Sequence, residues 1–247
     1  MVPRTDRKLL RSIINSLPDK IDHTAKRSRL QEPAALVDLG MRLMKRSIEQ
    51  PVASRRKNAV QYRDGLQIAM LALRPIRKKN FSSISISQQL NKSNGVWRLA
   101  FDGLDTKTHT PLEFDLPAAI VSPLEHYLDH VRPILASDKY TGPALWVSYR
   151  FTRQAAHSIQ SSIGARTKLE FGRHVNPHLF RDSAVTYIAI DDPEHVRVGA
   201  SVLGHRSFAT TQRHYNLAQT IDAARCHHEV IEQQRARLTN KRLRRPQ

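Results

Sequence analysis

A single cysteine, Cys226, excludes an internal disulfide and any zinc or iron–sulfur site built from several cysteines. Nine glycines are few, and none falls into a Walker-type loop or a Gly-x-Gly-x-x-Gly turn, so the phosphate cradles of nucleotide hydrolysis have no support. A Gly-x-Ser-x-Gly elbow is missing as well, which removes the usual sign of a serine hydrolase. No apolar run approaches the ~20 residues needed to span a bilayer. The opening M-V-P-R-T-D-R-K-L-L lacks the apolar centre and small-residue cleavage pattern of a secretory signal. The expected location is therefore the cytoplasm. Acidic residues are scarce: 22 Asp and Glu stand against 40 Lys and Arg, a formal charge of +18 in 247 residues. Such a surplus calls for a polyanionic partner, most commonly nucleic acid.

What is present suffices for a core, since 40% of the residues are apolar. Residues 1–30 hold eight basic and three acidic residues and at most a short helix near Arg7 to Leu17. From Pro33, the apolar spacing Leu36, Val37, Leu39, Gly40, Leu43, Met44, Ile48 predicts an amphipathic helix that stops at Pro51. A second helix is expected from Arg55 to Leu73, ending at Arg74-Pro75. The period then changes from helical to alternating. Ser82 to Ser87, Val96 to Phe101 and Leu112 to Leu116 read as three strands of a small antiparallel sheet, the last two joined by a polar connection over 102–110. Helices are expected again over Ala118 to Leu135 and Thr152 to Ile163. Asn176-Pro177 gives an N-cap and a first-turn proline for a helix reaching about Ile190. A further helix opens at Asp191-Asp192-Pro193 and ends at Leu203-Gly204. A short one follows near Thr210, and a last one fades into the basic tail Lys241 to Arg245. The fold class is mainly α with a small antiparallel β-sheet, an α+β arrangement.

Chemistry concentrates late in the chain. His178 and Arg181 are three apart and share a face in the first turn of their helix, where free N–H groups favour anions. An arginine fork there matches two phosphate oxygens. Gly204 ends a helix and aims His205 from a tight turn. Tyr215 follows Thr210-Thr211 in a window crowded with basic and polar residues. His126 and His130 mimic a zinc-protease pair, but Tyr127 stands where the glutamate should be, so a solvated helix face is the better reading. His227 and His228 point about 100° apart on a helix and make a poor metal pair. No metal site is expected.

Taken in order, His178-x-x-Arg181, Leu203-Gly204-His205 and Thr210-Thr211-x-x-x-Tyr215 resemble the C-terminal half of the tyrosine recombinase (phage integrase) family. The resemblance implies an upstream arginine at a helix end before a small sheet and a lysine in a sheet hairpin. Arg74 and Lys107 stand in those places, so the matches extend over about 140 residues. Two departures stand out. Asp182 occupies the position where family members often carry a second histidine, and the interval from His205 to Tyr215 is ten where nine is usual, with His214 in between.

The resemblance implies a site-specific DNA recombinase or integrase that cuts and rejoins double-stranded DNA through a 3′-phosphotyrosyl link, needing neither metal, ATP nor other cofactor. Arg74 and Arg181 would neutralise the phosphate, His178 would take the proton of Tyr215, Lys107 would protonate the leaving 5′ oxygen, and His205 would hydrogen-bond a phosphate oxygen. It also implies a tetramer on DNA assembled through the C-terminal helix, in a bacterial, nucleoid-associated setting. Residues 31–225 would form the catalytic domain and 226–247 the C-terminal helix and tail. Residues 1–30, too short for the family's DNA-clamping domain, read as a basic segment or a remnant of the linker to one, and the chain as a truncated one. The alternatives are a catalytically impaired, DNA-binding remnant of an integrase and a nicking-closing enzyme of the type IB topoisomerase kind.

Overall fold

The computed structural model describes residues 30–49, 54–106, 109 and 111–191, with only the backbone of 188–191. The helices expected near Arg7 to Leu17 and beyond Asp191 lie outside the described residues.

The centre of the molecule is one helix. α1 spans Pro33–Glu49 and α2 spans Arg55–Leu73. From Tyr62 to Ala72 every residue of α2 is buried, which requires neighbours on all sides. α1 packs along α2, and the two backbones meet at paired glycines. A Cβ built on Gly40 would lie 2.6 Å from the Gly65 carbonyl oxygen and 2.8 Å from the Ala69 backbone nitrogen. A Cβ on Gly65 would lie 2.7 Å from the Gly40 carbonyl oxygen. These are backbone atoms with nowhere to retreat. Gly40→Ala should therefore destabilise the protein by about 1–3 kcal/mol through overpacking. Urea unfolding checks this, and a change below about 0.5 kcal/mol would mean that the crossing can open at little cost. At the end of α1 the expected apolar stripe stops short, because Ile48 is 55% exposed.

After α2 the chain turns at Pro75 into a short helix, α3, Lys78–Ser83. The strand expected over Ser82 to Ser87 is therefore corrected. Ser82 and Ser83 turn their hydroxyls back onto the Lys79 and Asn80 carbonyls, which a helical turn allows. Ser85 and Ile86 make only isolated bridges, and Ser87, at φ 66°, turns the chain away. The Ser/Ile alternation arose because a turn buries Ile84 while its serines serve as local caps.

The first strand, β1, is Leu90–Ser93. It pairs antiparallel with β2, Val96–Phe101, across Asn94-Gly95, whose φ values of 50° and 81° are those of a two-residue hairpin turn. That Asn-Gly was the overlooked sequence signal. β2 pairs antiparallel with β3, Leu112–Asp115, in the order β1-β2-β3. Leu90, Leu99 and Phe101 bury the inner face. On the outer face Arg98 bridges Glu113 and Asp115.

The helix expected over Ala118 to Leu135 is helical throughout but interrupted. α4, Ala118–His126, passes through a π turn, Tyr127–Val131, into α5, Arg132–Ala136. Pro133 lacks an N–H and crowds the carbonyl four residues back, so the ladder widens just before it. α6 spans Ala156–Phe171 and not Thr152 to Ile163. It starts late because Thr152 is tied into a loop in which its carbonyl accepts from Ser148 N at 2.7 Å. It ends at Gly172, a left-handed cap at φ 71°. α7, Pro177–Asp191, closes the described part and packs on α1 and α2. Among the described residues no helix is long and apolar enough to cross a membrane.

Candidate active site

Arg74 is the C-cap of α2. Its N–H donates to the Met70 carbonyl at 2.8 Å, and its guanidinium Nη1 donates to the Leu73 carbonyl at 3.0 Å. A cation at the negative end of a helix is favourably placed. The guanidinium carbon also sits 5.6 Å from the centre of the Phe114 ring on β3. The sheet thus braces the arginine at which the central helix stops.

α7 delivers the second arginine. Asn176 caps it as expected: its Oδ1 accepts from the N–H groups of His178 at 3.0 Å and Leu179 at 3.2 Å. One turn in, Arg181 is 8% exposed, and its Nη1 donates to the Pro75 carbonyl. Pro75 is the residue after Arg74, so two arginines far apart in sequence are held to one short stretch of main chain. Burial first and the Arg77 charge second lower the Arg181 guanidinium pKa to about 10, with Asp182 opposing both. His178, in the same first turn, is exposed. The structure ties Arg181 to the main chain one residue after Arg74, with His178 on the helix that carries Arg181.

Lys107, His205 and Tyr215 lie outside the described residues. The flanks of Lys107 are described: His109 N donates to the Thr106 carbonyl at 3.2 Å, in the β2–β3 connection next to the strand that carries Phe114. Two other tyrosines are disqualified as nucleophiles. Tyr62 donates its hydroxyl to the Pro123 carbonyl and Tyr127 to the Leu145 carbonyl, and burial pushes both phenols up to about 12.

Two features escaped the sequence reading. Arg77 stands close enough to Arg181 for their charges to interact, a tertiary relation with no local signature. A buried ion network also ties α2 to its surroundings. Arg63 donates to Asp64 at 2.7 Å and to the Val147 carbonyl at 2.8 Å, while Arg166 on α6 reaches the other Asp64 oxygen at 3.2 Å. His126 and His130 stack at 4.9 Å, and His126 also packs on Tyr62 at 5.1 Å. Burial, then the neighbouring His130, lowers the His126 pKa. Among the described residues no cluster of three or more His, Cys, Asp or Glu could hold a metal ion.

Known proteins resemble this chain in sequence and in fold. Tyrosine recombinase XerC of Mycobacterium leprae (strain TN) is 28% identical over 197 residues, covering 77% of this chain and 64% of the relative. Tyrosine recombinase XerC of Pseudomonas putida (strain W619) is 28% identical over 74 residues, 30% of this chain and 24% of the relative. The chain thus spans less than two thirds of the curated relatives it matches. No protein-family model matches. Among solved structures, the XerH site-specific recombinase in a post-cleavage complex with palindromic difH substrate aligns with a TM-score of 0.60 at 15% identity, covering 81% of this chain and 54% of that one. The XerA recombinase aligns with a TM-score of 0.51 at 20% identity, covering 72% and 58%. The shared architecture is a helical body with a small three-stranded antiparallel sheet, the fold of tyrosine recombinase catalytic domains.

Proposed function

From the chain's homology to the tyrosine recombinases, we propose that it is the catalytic part of a site-specific DNA recombinase working through a 3′-phosphotyrosyl intermediate. The observation that supports this most is the tether from Arg181 to the Pro75 carbonyl, which brings the Arg181 guanidinium to the residue that follows Arg74. A phosphodiester repels an attacking oxygen with its own negative charge. Arg74 and Arg181 offset that charge and the further charge of the transition state. The Tyr215 oxygen bonds to phosphorus as the bond from phosphorus to the 5′ oxygen breaks. The phenol, with an ordinary pKa of ~10, gives its proton to His178. Lys107 gives one to the leaving 5′ oxygen, and His205 hydrogen-bonds a non-bridging oxygen. The phosphotyrosyl link keeps the bond energy for rejoining, so no ATP is consumed. Residues 31–225 carry this chemistry, residues 226–247 dock on a neighbouring protomer in a tetramer on DNA, and the positive surplus follows the duplex arms with a steep salt dependence.

The test is a nicked suicide duplex, made from candidate native sites and incubated with the protein in EDTA. The expected result is a covalent protein–DNA adduct that Tyr215→Phe abolishes. An unchanged adduct in Tyr215→Phe refutes the nucleophile. No adduct on any native site favours the impaired DNA-binding remnant.

A further inference from the structure

We infer that Phe114 is a positioning residue for Arg74, its ring face holding the guanidinium in place for a phosphate without cancelling its charge. The inference rests on the proposed DNA-cleaving reading and deepens it, by naming what sets the aim of its first arginine. The guanidinium carbon of Arg74 lies 5.6 Å from the centre of the Phe114 ring. That is within the range over which the negative face of a ring attracts a cation. The second hold on the side chain is the bond from Nη1 to the Leu73 carbonyl at 3.0 Å. Both holds come from neutral groups. No salt bridge to Arg74 occurs among the described residues.

Strand geometry explains why a ring, and not a carboxylate, meets Arg74. Successive side chains of β3 point to opposite faces of the sheet. Glu113 and Asp115 flank Phe114 in sequence, yet both lie on the outer face, paired with Arg98 at 3.1 and 2.8 Å. Phe114 stands opposite Leu99 in the β2–β3 register and packs against the core, which backs its ring. A slip of one residue would turn a carboxylate toward Arg74 instead. A carboxylate there would take up the guanidinium fork and offset the charge that a phosphate requires. A ring attracts the cation through its face, and the in-plane N–H groups keep their capacity for oxygen acceptors. Arg74 is half-buried, so water screens this attraction less than it would at an open surface.

The test replaces Phe114 in the full chain by phenylalanine carrying one, two or three ring fluorines. Fluorine drains the negative face of the ring while nearly keeping its shape. Single-turnover cleavage of the suicide duplex should slow with each fluorine, while the duplex concentration that half-saturates the rate moves by less than about twofold. Phe114→Leu, which removes the ring altogether, should slow cleavage by about 5–30-fold, and Phe114→Tyr should restore the rate to within about threefold of the parent. Equal rates across the fluorinated series would show that the ring serves packing alone and would overturn the inference. The fluorinated series carries this criterion by itself if Phe114→Leu fails to match the parent's thermal unfolding. A parent that makes no adduct refutes the cleavage reading. The hold on Arg74 is then read by NMR of the arginine-labelled protein, with the Arg74 Nε–H assigned through Arg74→Lys. Ring shielding that vanishes in Phe114→Leu sustains the hold, and a resonance that does not move overturns it. An adduct-forming parent with a flat fluorine series keeps the cleavage reading and loses the inference.

Discussion

Arg181→Lys is expected to slow covalent cleavage of a suicide duplex by about 10²–10³-fold, the scale seen when one preorganised donor to a developing oxyanion is removed. Charge alone does not set this number, because lysine keeps the charge. The guanidinium does two tasks at once. One edge holds the Pro75 carbonyl, which fixes the guanidinium beside the residue that follows Arg74, and in the proposed reaction the guanidinium also meets a phosphate. A lysine has a compact ammonium on a flexible stem and cannot hold both partners in one plane.

The burial of Arg181 makes the same point energetically. Its guanidinium falls to about 10, chiefly because it is withdrawn from water. A cation whose folded pKa lies below its unfolded value weakens the native state while charged. That penalty is present at neutral pH and is relieved only as pH rises through about 10 and above. Cost of this kind collects at functional sites. A rate within threefold of the parent for Arg181→Lys, measured in single turnover, would show that the tether to Pro75 is not what prepares the site.

Asp64→Asn is expected to destabilise the fold by about 3–5 kcal/mol. Arg63 and Asp64 are only 3% and 2% exposed, so neither can retreat to water when its partner is lost. Asparagine keeps the shape of the side chain but leaves the Arg63 charge buried without a counter-charge. The Val147 carbonyl still accepts from Arg63, and that single dipole cannot replace a carboxylate. Arg166 loses its partner as well, loosening α6 against α2. At roughly 2–4 °C per kcal/mol for a chain of this size, the melting temperature should fall by about 10 °C. Urea unfolding gives the free energy directly, and a loss under about 1 kcal/mol would mean that the network adds little to the fold.

The parts of the fold legible in the sequence are those fixed by local physics. The apolar spacing of α1, the uninterrupted α2 and the alternation of β2 and β3 all follow from burial at a regular period. Asn176-Pro177 marked α7 because a side-chain acceptor and a proline satisfy the first turn without help from elsewhere. The misreadings occurred where two causes give one pattern. Serine and isoleucine alternate over Ser82 to Ser87 as they would in a strand, yet Ser82 and Ser83 bond back onto a helical turn and, of the two isoleucines, Ile84 alone is buried. The helix expected to end at Ile163 continues through Gly164, which gives room to the His174 ring, 2.8 Å from where a Cβ would stand. In the site, the position of Arg74 at a helix end was legible, because it follows from the helix itself. Its stacking on Phe114, the tether of Arg181 to Pro75 and the proximity of Arg77 were not, since each joins segments that only the tertiary fold brings together.

The central claim is that the two arginines serve a tyrosine that becomes covalently joined to DNA. The most direct measurement digests the adduct formed on a suicide duplex in EDTA with protease and nuclease, then identifies the modified peptide by mass spectrometry. The predicted result is a nucleotide phosphate on the peptide containing Tyr215, absent from Tyr215→Phe and strongly reduced in Arg181→Lys. A nucleotide on any other residue, or a protein that binds the duplex and never becomes joined to it, would contradict the account.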